Sequence, residues 1–226
     1  MSRYLLAYIG ETDCESLGDG LLRQPLNAIS SLSYAVVGII AIASAGGTEG
    51  AERTFRRLFG WLMIASGLGS VLYHGPQWPA SHFLHDITFT ATLWLIASGN
   101  GTRALGLPRR TGWAVFAGGV LAMAAVLLAA PEATNYLTVV LVLALIASDV
   151  IVQRTVGVIG RWYALALGTA ALAVVALVLG RTGSALCEPE SMAQGHAVWH
   201  LLSAVALLAY VMATAPARSA RQQAMA

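Results

Sequence analysis

The chain has 226 residues, 57% of them hydrophobic and 11% charged, with a mean hydropathy of +0.69. A soluble domain carries about 25% charged residues, so this composition excludes one and predicts an integral membrane protein. The formal net charge of +2 is too small an excess to suggest a nucleic-acid partner.

In chain order, residues 1–26 read as an external N-terminal segment. One arginine and a short apolar run precede the acids Glu11, Asp13, Glu15 and Asp19, which is not the pattern of a secretory signal. Apolar runs long enough to span a bilayer need about 17–25 residues. Seven are expected, at about 27–46, 54–74, 82–99, 111–130, 134–153, 162–180 and 193–214, with a cytoplasmic tail at 215–226. Gly46-Gly47, Gly75-Pro76, the stretch from Gly99 to Pro108, Pro131 and the stretch from Gly180 to Pro189 separate them. The fold class is therefore an all-α membrane protein, a single seven-transmembrane-helix bundle.

Arginine placement gives the direction. Arg53, Arg56, Arg57, Arg103, Arg109, Arg110, Arg154, Arg161, Arg218 and Arg221 fall on one side. Only Arg3, Arg23 and Arg181 fall on the other, together with Glu11, Asp13, Glu15, Asp19, Glu132, Glu188 and Glu190. The excess of basic residues marks the cytoplasmic side, which puts the N-terminus outside and the C-terminus in the cytoplasm.

Three polar pairs interrupt the apolar runs, each with the spacing of one helical turn: Ser70 and His74, His82 and Asp86, His196 and His200. Ionisable residues in spanning helices are costly and face the bundle interior, where they serve a function. The topology places all three pairs at one depth, near the outer leaflet. Imidazoles from two helices suit Zn²⁺, and a catalytic zinc keeps three protein ligands and one open position. His74, His196 and His200 are the expected ligands. Asp86 is expected to orient the water or act as general base, and Ser70 to donate to a developing oxyanion. These parts suffice to hydrolyse an amide or ester, and a site at membrane depth implies a lipid substrate. His82 and His85 lie near a helix start and are left without an assigned role. Asp149 is expected to sit within reach of Arg154.

The pattern of Ser70 to His74, His82 to Asp86, and His196 to His200 resembles the CREST superfamily of seven-helix membrane hydrolases. The stretch Gly195-His196-Ala197-Val198-Trp199-His200, with Asp13-Cys14-Glu15, Asn27 and Ser30, is most similar to the alkaline ceramidases. The resemblance implies a zinc amidase that cleaves the N-acyl bond of ceramide to a sphingoid base and a fatty acid. It implies a disulfide between Cys14 and Cys187, in an oxidising outer compartment. It also implies Ca²⁺ held in the N-terminal segment, here by Glu15 and a backbone carbonyl from Asp13, with Glu11 and Asp19 as alternates. The chain departs from the family pattern at Thr12 and Gln24, each standing where the family has an acid, and the spacing from His74 to Asp86 is one residue longer. A solvated acidic segment is the competing expectation for those acids.

Small cytoplasmic loops whose only basic residue type is arginine suggest a bacterial inner-membrane protein with its site toward the periplasmic leaflet. Ornithine lipids or acyl amino acids fit the same chemistry as ceramide. Two other functions stay open at this stage: a zinc-containing seven-helix receptor of the same superfamily, and a haem-binding electron carrier.

Overall fold

The computed structural model describes residues 10–156 and 160–213. They form seven α-helices: α1 (Pro25–Ser44), α2 (Gly50–His74), α3 (Ser81–Ala104), α4 (Arg109–Ala129), α5 (Thr134–Val156), α6 (Arg161–Leu179) and α7 (Gly195–Ala213). No strand occurs among the described residues. Arg3 and the tail with Arg218 and Arg221 lie outside them.

Several helix boundaries differ from expectation by a few residues, two of them for clear local reasons. α3 runs past Gly99 to Ala104, because a glycine weakens a helix interior by only about 1 kcal/mol and does not end it. α7 starts at Gly195, since Gln194 turns its side-chain amide back to the carbonyls of Glu188, Pro189 and Ser191.

Five helices, with the turns that adjoin them, are long and apolar enough to cross a membrane: Pro25–Gly47, Arg109–Ala129, Pro131–Arg154, Arg161–Leu179 and Gly195–Ala213. This is the mark of an integral membrane protein. α2 and α3 are as long but less apolar, because α2 opens with Glu52, Arg53, Arg56 and Arg57 while α3 carries His82, His85, Asp86 and Asn100. α4, α5 and α6 turn Leu121, Val140, Leu143, Leu172 and Val178 outward, a perimeter that suits hydrocarbon and not water.

Small residues let the backbones meet. A Cβ on Gly38 would lie 2.4 Å from the Gly60 carbonyl oxygen, so α1 and α2 touch main chain to main chain. Gly180 and Gly195 approach as closely where α6 turns into α7. Among the described residues α3 carries α4 and α5, while α7 packs on α1 and α6. α5 and α6, consecutive in sequence, therefore make little contact with each other. The same arrangement gathers the C-terminal end of α2 and the N-terminal ends of α3 and α7 at one end of the bundle.

Asp149 corrects an expectation. It accepts from the hydroxyls of Tyr163 and Tyr210, and Tyr210 in turn accepts from Asn100 at 2.7 Å. Arg154 takes no part in this network, because residues five apart on a helix point about 140° away from each other.

From Gly10 onward the N-terminal segment lies over the end of the bundle where α2, α3 and α7 meet. The disulfide between Cys14 and Cys187 ties it to the loop before α7, with the Cα atoms 5.6 Å apart.

Candidate metal centre

His74 ends α2, and His196 and His200 occupy the first two turns of α7; all three are buried. Their ring centres lie 5.0 Å (His74 to His196), 5.2 Å (His74 to His200) and 4.5 Å (His196 to His200) apart. Three imidazoles bound tetrahedrally at a Zn–N distance of about 2.1 Å would have ring centres about 5 Å apart. The Nε2 atoms of all three are buried without a hydrogen-bond partner among the described residues. Buried polar atoms are almost always satisfied, so three orphans on touching rings fit a bound cation.

The hydrogen bonds behind two of these rings fix which nitrogen is bare. Nδ1 of His74 lies 2.7 Å from Oε1 of Gln24, an acceptor, so Nδ1 carries the proton. The amide orientation is settled by the other end of Gln24, whose Nε2 donates to the carbonyls of Gly10 and Glu15 at 2.9 and 2.8 Å. Nδ1 of His200 lies 3.0 Å from the Ser30 hydroxyl, whose single proton goes to the Asn27 carbonyl. Ser30 therefore accepts from Nδ1–H of His200. In both rings Nε2 is left with a lone pair, the state a metal needs.

Asp13 approaches from the N-terminal segment. Its Oδ1 stands 3.4 Å from Nδ1 of His196 and 3.2 Å from the Arg181 guanidinium. Burial pushes this carboxyl up from the usual carboxylate range, and Arg181 works in the opposite direction. Two sets of ligand atoms, each within 4.8 Å of one another, share His74: one with His85 and His200, the other with Asp13 and His196; neither set holds His74, His196 and His200 together.

Ser70 and Asp86 reach the same place. The Ser70 hydroxyl lies 2.7 Å from that of Ser31, which gives its own proton to the Asn27 carbonyl; Ser70 is therefore the donor of that pair. Asp86 uses both carboxylate oxygens. Oδ1 accepts from Nδ1 of His85 at 2.8 Å, and Oδ2 from Thr134 at 2.6 Å and Nε2 of His82 at 3.3 Å. Tyr73 stacks on the His85 ring with centres 4.6 Å apart. The sequence left His82 and His85 without a role; here both hold Asp86, and His85 also faces the imidazole cluster.

Ser70, His85, Asp86 and His196 line an inner cavity of about 90 Å³ with the apolar walls Phe89 and Trp199. An outer cavity of about 550 Å³, reaching Glu11 and Glu132, shares His85, Asp86, Arg181 and His196 with it.

The acids expected to hold calcium do not converge. Glu15 spends both oxygens on the amides of Leu26 and Asn27 at 2.7 and 2.8 Å, at the positive end of α1. Asp13 turns to Arg181 and His196, while Glu11 and Asp19 are exposed. Gln24, the departure noted in the sequence, brings an amide to the imidazole cluster where an acid was expected. These side chains do not converge as a Ca²⁺ site requires.

No family model, no curated protein and no solved structure matches the chain. The geometry of the cluster therefore carries the functional reading.

Proposed function

We propose that this protein is a zinc-dependent lipid amidase, hydrolysing the N-acyl bond of ceramide or a similar N-acyl lipid to a fatty acid and a sphingoid base or other amine. One observation carries the reading: three buried, mutually touching imidazoles whose Nε2 atoms have no partner among the described residues. His74, His196 and His200 are the ligands, as the resemblance to alkaline ceramidases implies. All seven helices span, with the N-terminus outside and the metal centre near the outer leaflet. In a bacterial inner membrane that is the periplasmic side.

Bound zinc supplies a Lewis acid and lowers the pKa of a coordinated water toward about 7. The protein's own groups do the rest. Asp86 holds the proton of His85 on Nδ1, leaving Nε2 bare to take a proton from the attacking water and pass it to the departing amine nitrogen. Asp86 thus acts through His85, as the carboxylate acts through histidine in hydrolytic triads. Ser70 turns its hydroxyl proton from Ser31 to the carbonyl oxygen as negative charge develops there. Phe89 and Trp199 exclude water from the inner cavity. The sparse α5–α6 seam gives an acyl chain a lateral way in, past Thr138 and Leu177 on the cavity wall.

The test is metal content of detergent-purified protein by mass spectrometry, beside a ceramide hydrolysis assay on the same batch. About one zinc per chain with released sphingoid base is the expected result. Absence of zinc from active or inactive protein overturns the proposal.

A further inference from the structure

At the opposite end of the bundle, a cleft of about 450 Å³ opens between α2 and α4, with α3 as its floor. Phe55, Leu95, Trp113 and Phe116 make its walls apolar, and Arg103 and Arg109 stand at its rim. Arg109 donates to Thr54 at 2.9 Å and lies 6.0 Å from the Trp113 ring centre. Neither arginine has a carboxylate partner among the described residues. Glu52 also lines the cleft, but its carboxylate is engaged by buried Arg56 at 2.6 Å. Arg53 and Arg57 line an adjoining cavity with Trp61 and Trp113. The local field is therefore positive, and the tryptophans mark the level where hydrocarbon meets headgroups.

We propose that this cleft binds an anionic phospholipid of the leaflet opposite the metal centre. The headgroup phosphate sits between Arg103 and Arg109, and part of an acyl chain lies against Phe55, Leu95 and Phe116. The two halves of the site require the two halves of the ligand. A soluble phosphate would leave the apolar walls wet, and a zwitterionic phospholipid would bring a second cation against the two guanidinium groups. Guanidinium pairs with phosphate oxygens in a two-pronged fork. The site uses no residue of the metal centre, so it stands or falls separately from the amidase reading.

Two variants probe it from different sides. The double variant R103Q/R109Q removes the charge. G99L removes the space, because a Cβ on Gly99, in the cleft floor, meets nothing within 4 Å and its side chain grows into the cleft. Native mass spectrometry of the full-length protein in detergent, titrated with phosphatidylglycerol or phosphatidylcholine, reads the binding. Phosphatidylglycerol is expected to bind about thirtyfold tighter than phosphatidylcholine, the sum of two arginines. Both variants lose this preference while their zinc content stays that of the parent. Equal binding of the two lipids, or a preference unchanged in both variants, overturns the proposal. So does displacement of phosphatidylglycerol by inorganic phosphate, which would assign the arginines to a soluble anion. Tighter binding of oleate than of phosphatidylglycerol would assign the cleft to a fatty acid and overturn it equally.

Discussion

Gln24 and His74 lie 50 residues apart in sequence and 2.7 Å apart in space, amide oxygen to Nδ1. The same amide ties the N-terminal segment down through Gly10 and Glu15. One side chain thus sets the tautomer of a proposed metal ligand and fastens the lid of polypeptide above it. Replacing Gln24 with Leu removes both functions. Metal affinity is expected to fall about 10–100-fold, as for other partners behind a ligating histidine. Competition with a chromophoric chelator measures this.

His200→Ala leaves two of three ligands and is expected to abolish stoichiometric zinc and hydrolysis together. Zinc retained at one per chain in this variant would remove His200 from the ligand set. Mass spectrometry of the purified variant decides.

Ser70→Ala should separate metal from turnover. Ser70 contacts Ser31 and not an imidazole nitrogen, so zinc content stays at the parental value. Turnover drops about 10²–10³-fold, the usual loss on removing one oxyanion donor. His85→Ala is expected to lower turnover also, and Asp86→Asn to lower it without a further loss when the two are combined. Single-turnover hydrolysis of a fluorescent N-acyl lipid reads all four variants.

Glu15→Ala strips two amides at the start of α1, one buried and one half-buried, of their charged acceptor. The expected loss is about 1–3 kcal/mol per unsatisfied group, seen as a lower Tm. Adding Ca²⁺ or EGTA to the parent protein leaves Tm unchanged, because Glu15 already fills by hydrogen bonding the place of an external cation.

Gly38→Val drives a side chain into the Gly60 carbonyl, where even a Cβ would be only 2.4 Å away. α1 and α2 must separate, with a destabilisation of several kcal/mol, on the scale of overpacked cores. Detergent-resistance assays report it as a loss of monodisperse protein. Gly46→Val, at a position where a Cβ meets nothing within 4 Å, is the matched control and is expected to be neutral.

The helices were legible because apolar run length is written locally, and glycine and proline mark most of the breaks. The clustering of His74, His196 and His200 was legible too. Each lies near a helix end, and alternation of direction puts those ends at one depth. What escaped the sequence was lateral. Gln24, Ser31 and Thr134 meet His74, Ser70 and Asp86 across 50, 39 and 48 residues, and no periodicity says which helix stands beside which. His85 escaped for another reason. Adjacent helical residues point about 100° apart, so a contact between His85 and Asp86 is not what helical spacing suggests. Asp149 was misread toward its own helix, when its partners come from α6 and α7.

The imidazole cluster draws on both ends of the chain, with Gln24 and His74 early and His196 and His200 late. During synthesis, the first six helices are made before the last two histidines leave the ribosome. Until then His74 has only His85 and Asp13 beside it, and two of the three proposed ligands are missing. On the proposed function, metal capture is a terminal event of biogenesis, and a chain truncated before α7 is expected to be metal-free.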